Sequence, residues 1–217
     1  MTKQVGPLTS IRAVLWDFGG VFTNSPFEAF NRYEAEAGLP RDFIRTLNSM
    51  NSASNAWAKL ERGEVSIPQF CRSFETEARD AGQAVDGAAV LKCIHGELRQ
   101  EMVTALRVIS KRYKTACLTN NFGSIDDTSI DSDAIKEVMK LFDVVIESSM
   151  LGFRKPEIKF YEHACELLVI TPKEAVFLDD LGVNLKPARA LGMHTIKVVS
   201  STQALNDLQD CLGHNVF

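Results

Sequence analysis

Three things are missing from this 217-residue chain, and each absence narrows what it does. It has no basic surplus: 24 Lys and Arg stand against 28 Asp and Glu, a formal net charge of −4. A protein that neutralises backbone phosphates needs a cationic face, so nucleic acid is not an expected partner. It has no apolar run approaching the roughly 18 residues that span a bilayer. Met1 to Ser10 is polar and lacks the apolar segment of a secretory signal, so no membrane association is expected. Paired cysteines are the third absence. Cys71, Cys93, Cys117, Cys165 and Cys211 are odd in number, scattered and never spaced C-x-x-C. That suits reduced thiols and a cytoplasmic location. No internal repeat or low-complexity tract is visible. What remains is an ordinary globular composition, 45% hydrophobic and 24% charged. The length suits one large domain, or a smaller one carrying an insertion.

Two regimes follow one another along the chain. Short apolar runs closing on polar or small residues predict strands at Arg12–Trp16, Thr115–Leu118, Asp143–Ile146, Ala175–Leu178 and Thr195–Val199. Helix-period segments lie between them. Glu97–Lys111 sets Leu98, Met102, Ala105, Leu106 and Ile109 on one stripe, Pro156–Leu168 opens on a proline, and Leu185–Leu191 runs into Gly192. Alternation of this kind predicts an α/β fold of βαβ units around a parallel sheet. Residues 24–95 break the rhythm. Phe27–Ala37, Arg41–Met50, Ser52–Leu60 and Ser66–Asp80 read as helices with no strand among them. The expected organisation is therefore a core of 1–23 and 96–217 with a helical cap, 24–95, inserted after the first strand. Ser124–Asp133 is polar enough to predict a loop.

Four polar clusters fall at the C-terminal ends of predicted strands, the edge where open α/β sheets bind ligands. After the first strand comes Asp17-Phe18-Gly19-Gly20-Val21, a carboxylate on a tight turn whose glycines let backbone approach a ligand. Thr119-Asn120-Asn121-Phe122-Gly123 offers a hydroxyl, an amide and main-chain N–H groups to an anionic oxygen, and makes an equally good Asx turn. Gly152-Phe153-Arg154-Lys155-Pro156 places two cations at a predicted helix start, which calls for an anion nearby. Asp179-Asp180-Leu181-Gly182-Val183-Asn184 sets two carboxylates side by side after a buried strand. They repel unless a cation relieves them, and hard oxygen ligands suit Mg²⁺.

In this order, Asp, Thr, Lys and Asp-Asp resemble the haloacid dehalogenase-like hydrolase superfamily over nearly the whole chain. The stretches LTNN, VVIESSMLGFRKPEIKFYEHA and FLDDLGVNLKPARALGMHTI carry the likeness. Closest in texture are the phosphatase-like N-terminal domain of soluble epoxide hydrolases and the similar domain of some acyl-CoA dehydrogenases. Because the chain stops at Phe217, the second catalytic domain of those proteins is not expected here. The resemblance implies a Rossmann-like core with a helical cap, and a Mg²⁺-dependent phosphatase acting on a small phosphorylated metabolite. By the family pattern Asp17 is the nucleophile that forms an aspartyl-phosphate. Thr119 and Asn120 hold the transferring group, and Lys155 neutralises charge on nucleophile and phosphate. Asp17, Asp180 and the main-chain carbonyl of Gly19 would bind Mg²⁺ directly, and Asp179 through water. Arg154 is open between the substrate phosphate and an ion pair.

One departure matters. Phosphatases of this superfamily usually carry a second Asp two residues after the nucleophile, where this chain has Gly19. General acid–base help is worth about 10²–10⁴-fold, so good leaving groups would suffer least from its loss. Two other readings follow: a phospho-ligand binding protein that lost the acid, and a 2-haloacid dehalogenase, whose halide leaves without a proton. The paired acids Asp179-Asp180 argue against the dehalogenase. His95, His163, His194 and His214 show no ligand spacing and read as structural. Trp57, Phe70 and Cys117 read as packing residues. A monomer or homodimer is expected.

Overall fold

The structure, a computed structural model, describes residues 11–94, 96–120 and 130–216. Five strands form one parallel sheet: β1 (Ala13–Trp16), β2 (Lys114–Thr119), β3 (Val144–Glu147), β4 (Ala175–Asp179) and β5 (His194–Lys197), in the order β3-β2-β1-β4-β5. Every predicted strand is present, shifted at its ends by one or two residues. β1 and β4 are buried along their whole lengths, which is why their sequences read as unbroken apolar runs rather than alternations.

The helices divide by location. Between β1 and β2 lie α1 (Pro26–Glu36), α2 (Phe43–Ser49), α3 (Ala56–Glu61), α4 (Ile67–Asp80), α5 (Gly87–Lys92) and α6 (Gln100–Ile109). Beyond β2 come α7 (Ile130–Met139), α8 (Ser148–Leu151), α9 (Ile158–Leu168), α10 (Gly182–Ala190) and α11 (Ser201–Leu212). One face of the sheet packs on α6, α7 and α11 through Val14, Trp16, Cys117, Val176 and Leu178. The other packs on α9 and α10 through Leu15, Leu118, Ile146 and Phe177. Alternate residues of each strand thus feed opposite layers.

A third apolar cluster belongs to α1–α5 alone. Phe30, Ile44, Leu60, Phe70 and Phe74 fill it, with Trp57 edge-on to Phe70 at 5.2 Å between ring centroids. α4 starts with a reciprocal cap in which Ser66 N–H donates to Gln69 Oε1 at 2.8 Å, so the break between α3 and α4 is encoded locally. The chain enters and leaves this block at one place. Arg99 N–H donates to Phe22 O at 2.7 Å and Asn24 N–H to Glu97 O at 3.2 Å, so the two crossings run side by side.

Two expectations need correcting. Pro156 does not open a helix: the Lys155–Pro156 peptide is cis, and α9 begins at Ile158 with Glu157 as its N-cap. The Arg154–Lys155 pair lies in a turn just before the helix, where Glu157 N–H donates to Arg154 O at 2.7 Å. The predicted loop at Ser124–Asp133 lies outside the described residues up to 129, but residues 130–133 already belong to α7. His95 also lies outside the described residues.

Candidate active site

The strand order reverses at β1, which pairs with β2 on one side and β4 on the other. Such a switch point opens a crevice beyond the strands' C-terminal ends. Register does the rest. Trp16 is level with Leu178, and Asp17 N–H donates to Leu178 O at 2.8 Å, so the next residues, Asp17 and Asp179, emerge side by side. Thr119 ends β2 on the far side of β1. After Asp17 the chain closes a turn, with Phe22 N–H donating to Phe18 O at 2.8 Å and the Phe18 and Phe22 rings stacked at 5.7 Å. Phe18 N–H donates to Asp17 Oδ1 at 2.7 Å and orients the carboxylate.

Lys155 crosses the crevice from the loop before α9. Only 1% exposed, its Nζ lies 2.7 Å from Asp17 Oδ1 and 2.9 Å from Asp179 Oδ2. Asp179 is saturated: Oδ1 also accepts from Leu181 N–H at 2.7 Å, and the Asn184 amide donates to Oδ2 at 3.0 Å. Asp180 is less committed. Each of Asp17, Asp179 and Asp180 offers an oxygen within 4.8 Å of the others. Gly20 makes room for this, since a Cβ there would fall 2.3 Å from Asp180 Oδ2, and its φ of +71° is one that side chains disfavour.

Burial first, then the charge of Asp179, pushes the Asp17 carboxyl well above its usual range, and Lys155 only partly offsets this. The same two causes push Asp180 up to about 6. Burial pulls Lys155 down, but Asp17 and Asp179 more than offset it, and the net shift is upward, so it stays cationic. With the carboxyls of Asp17 and Asp180 both pushed upward, a further cation beside them would relieve the repulsion. A compact, all-oxygen donor set beside a sterically required glycine fits a hard divalent ion such as Mg²⁺.

The remaining predicted residues fall around this cluster. Gly19 is exposed, and a Cβ there would meet nothing within 4 Å. The Asn120 side chain is occupied: Oδ1 accepts from Lys155 N–H at 2.9 Å while Nδ2 donates to Lys155 O at 3.0 Å and to Glu61 Oε2 at 3.1 Å. It thus clamps the main chain that carries Lys155. Arg154 pairs with Glu61 and donates to Ser52 O at 2.7 Å. Nothing in the sequence marks Glu61, at the end of α3, yet it is buried among Asn120, Arg154 and the Trp57 indole, whose Nε1 donates at 3.0 Å. Burial raises its carboxyl above the ordinary range, and Arg154 only partly offsets that. Arg99, whose Nη1 donates to Gly20 O at 3.0 Å, is likewise unmarked in the sequence, while Asn184 closes the fourth polar cluster with no role read for it there. The described histidines lie apart: His214 Nε2 pairs with the Tyr113 hydroxyl at 2.9 Å, and His163 stands edge-on to Phe153. The five cysteines are unpaired.

Residues 11–192 match the family model of the haloacid dehalogenase-like hydrolases. The chain belongs to that family. It is 32% identical over 94% of its length to mouse acyl-CoA dehydrogenase family member 10, of which it spans 19%. It is 30% identical over 94% to rat bifunctional epoxide hydrolase 2, of which it spans 39%. A sesquiterpene phosphatase of Aspergillus oryzae is 25% identical over 94% of this chain and 98% of its own. Among solved structures, a family enzyme of Bacteroides thetaiotaomicron in complex with magnesium and inorganic phosphate shares the fold at a TM-score of 0.56 and 18% identity, covering 86% of this chain and 93% of that one. The chain is thus a haloacid dehalogenase-like hydrolase with phosphatases among its relatives, and it spans well under half of the first two. No helix of the described residues is long and apolar enough to cross a membrane.

Proposed function

We propose that the protein is a Mg²⁺-dependent phosphatase of a small phosphorylated metabolite, working through an aspartyl-phosphate on Asp17. The observation that carries this reading is the placement of Lys155 Nζ, buried between Asp17 at 2.7 Å and Asp179 at 2.9 Å, beside Asp180. A phosphate dianion approaches a carboxylate only where that much positive charge can gather. Asp17, Asp180 and the Gly19 carbonyl would hold the ion, and Asp179, bound to Lys155, Leu181 and Asn184, would assist through water. When bound, the ion supplies neutralising charge for the nucleophile and the phosphoryl oxygens.

Asp17 is held by Phe18 N–H and Lys155, so its other carboxylate oxygen attacks phosphorus and the ester oxygen leaves. Lys155 keeps its proton and stabilises charge on both reactants. Thr119 and the main chain of Asn120 hold the transferring group, while the Asn120 amide fixes Lys155. No carboxyl stands at position 19 to protonate the leaving oxygen. Residues 24–95 would act as a cap over this edge, with Glu61 as its reach toward the site. The magnesium- and phosphate-bound relative of the same fold supports the reading.

The test is hydrolysis of an aryl phosphate and of acetyl phosphate, with Mg²⁺ and with chelator. Turnover that needs the metal and disappears in Asp17→Asn is the expected result. Asp17→Asn turning over like the wild type would remove Asp17 as nucleophile. Mg²⁺ binding without turnover would leave a phospho-ligand binding protein instead.

A further inference from the structure

A cleft of about 320 Å³ opens beside the carboxylate cluster, with walls from both parts of the molecule. The sheet side contributes Asp180, Arg99 and Lys197, and the helical block and its approach contribute Ser25, Phe27 and Arg45. Three cations against one carboxylate is a marked excess in a chain of net charge −4. The ion pairs of the described residues lie elsewhere, and none engages Arg45, Arg99 or Lys197. Arg45 is held instead by Phe27, its guanidinium 4.7 Å from the ring centroid, so it is pre-placed without being neutralised. Arg99 spends one N–H on Gly20 O at 3.0 Å.

Two further features of the wall suit an anion. α10 begins there at Gly182, and its N-cap, Leu181, offers no side chain to the free N–H groups. Ser25 Oγ is buried without a hydrogen-bond partner. Lys155 sits inside the carboxylate cluster, and of the cleft's cations Arg99 acts on Asp180, while Arg45 and Lys197 make no ion pair with the cluster. The cleft also starts where the reaction would occur, since Asp180 belongs to both.

We propose that this cleft binds a second oxyanion of the substrate, so that the preferred phosphate esters carry a carboxylate or another phosphate on the departing alcohol. The proposal rests on the phosphatase reading above. Arg45 and Lys197 are exposed, so their charge can be removed without disturbing the core. Arg99 cannot serve, because it also holds the Gly20 turn.

The experiment compares kcat/KM in Mg²⁺ for phenyl phosphate, 3- and 4-carboxyphenyl phosphate, and 1,3- and 1,4-phenylene bisphosphate. Wild type and the variant R45Q/K197Q are measured side by side. Wild type should prefer a doubly anionic ester by roughly 10-fold, the scale of a charge-assisted contact at a partly exposed site. Most of the preference should lie in KM. In the variant the preference should collapse toward unity. A ratio within each protein is insensitive to loss of active material, so partial unfolding of the variant would not imitate this. Preference for the carboxylates or for the bisphosphates tells which oxyanion the cleft takes. Hydrolysis of all five esters with a ratio that the substitutions do not change would overturn the subsite and leave the phosphatase standing. No hydrolysis of any ester would sink the phosphatase reading and this proposal with it.

Discussion

Gly19 occupies the place where relatives of this kind usually have a second carboxylate, and the structure leaves that place open, with no atom within 4 Å of where a Cβ would stand. Gly19→Asp should therefore fold normally and, if leaving-group protonation limits the rate, raise kcat for unactivated esters within the roughly 10²–10⁴-fold range of general acid–base catalysis. A flat or lower rate would show that another group already supplies the proton. Asp180 gives a second residue-scale expectation. Its folded pKa of about 6 lies above the ordinary 3.8, so the metal-free native state binds the proton more tightly than the unfolded chain. The contribution of Asp180 to the stability of the metal-free protein is then fully present below the ordinary value and is lost as pH rises through about 6. Melting temperature in chelator should fall between pH 5 and 7 more steeply for wild type than for Asp180→Asn. Equal slopes would show that Asp180 is not shifted. The lowered carboxyls of Glu64 and Glu174 act in the opposite sense, but only below their ordinary value of 4.5.

At the scale of elements, α3 brings Glu61 of the helical block against Asn120 and Arg154. Glu61 and Arg154 are 10% and 13% exposed, so neither charge is well solvated once its partner is gone. Glu61→Ala should cost about 3 kcal/mol, as for other broken buried pairs, while removing both charges in Glu61→Leu/Arg154→Leu should recover much of it. Urea unfolding of the singles and the double measures this, and a single substitution costing under about 0.5 kcal/mol would mean the pair is effectively solvent-screened. Glu61→Ala should also loosen the Asn120 clamp on Lys155 and lower kcat. The turn after α3 is equally exacting. Gly63 has φ of +70°, and a Cβ there would come 2.5 Å from Ser149 O in α8. Gly63→Ala should destabilise by about 2 kcal/mol, combining left-handed strain with a backbone clash.

For the whole molecule, the candidate metal centre couples the two halves of the sheet, because Asp17 follows β1 and Asp179 ends β4. Mg²⁺ that binds only the native arrangement should stabilise the entire fold by about 2.7 kcal/mol at a hundredfold excess over Kd. Thermal unfolding with and without Mg²⁺ reads this directly, and the gain should vanish in Asp180→Asn. A gain that survives the substitution would place the ion elsewhere. The helical block has its own apolar cluster and joins the sheet through the paired crossings at 22–24 and 97–99. Arg45 lines the cleft together with Arg99 and Lys197, so the charge there depends on how the block and the sheet meet.

The parallel α/β core, the helical interruption after β1, and the residues that stand at strand ends are legible in the amino-acid order. Those follow from local rules: apolar run length in Arg12–Trp16 and Ala175–Leu178, and the helical stripe of Glu97–Lys111. Asp17, Thr119, Lys155 and Asp179 are legible as candidates for the same reason. That Lys155 lies between Asp17 and Asp179 emerges on folding, since it depends on strand register and on the loop before α9, whose proline reads locally as a helix start and is not one. Glu61 is invisible in the sequence because its partner Arg154 is 93 residues away, and KLERGE reads as an ordinary charged helix end. The cleft of Arg45, Arg99 and Lys197 is hidden likewise, its three cations coming from separate elements that packing alone brings together.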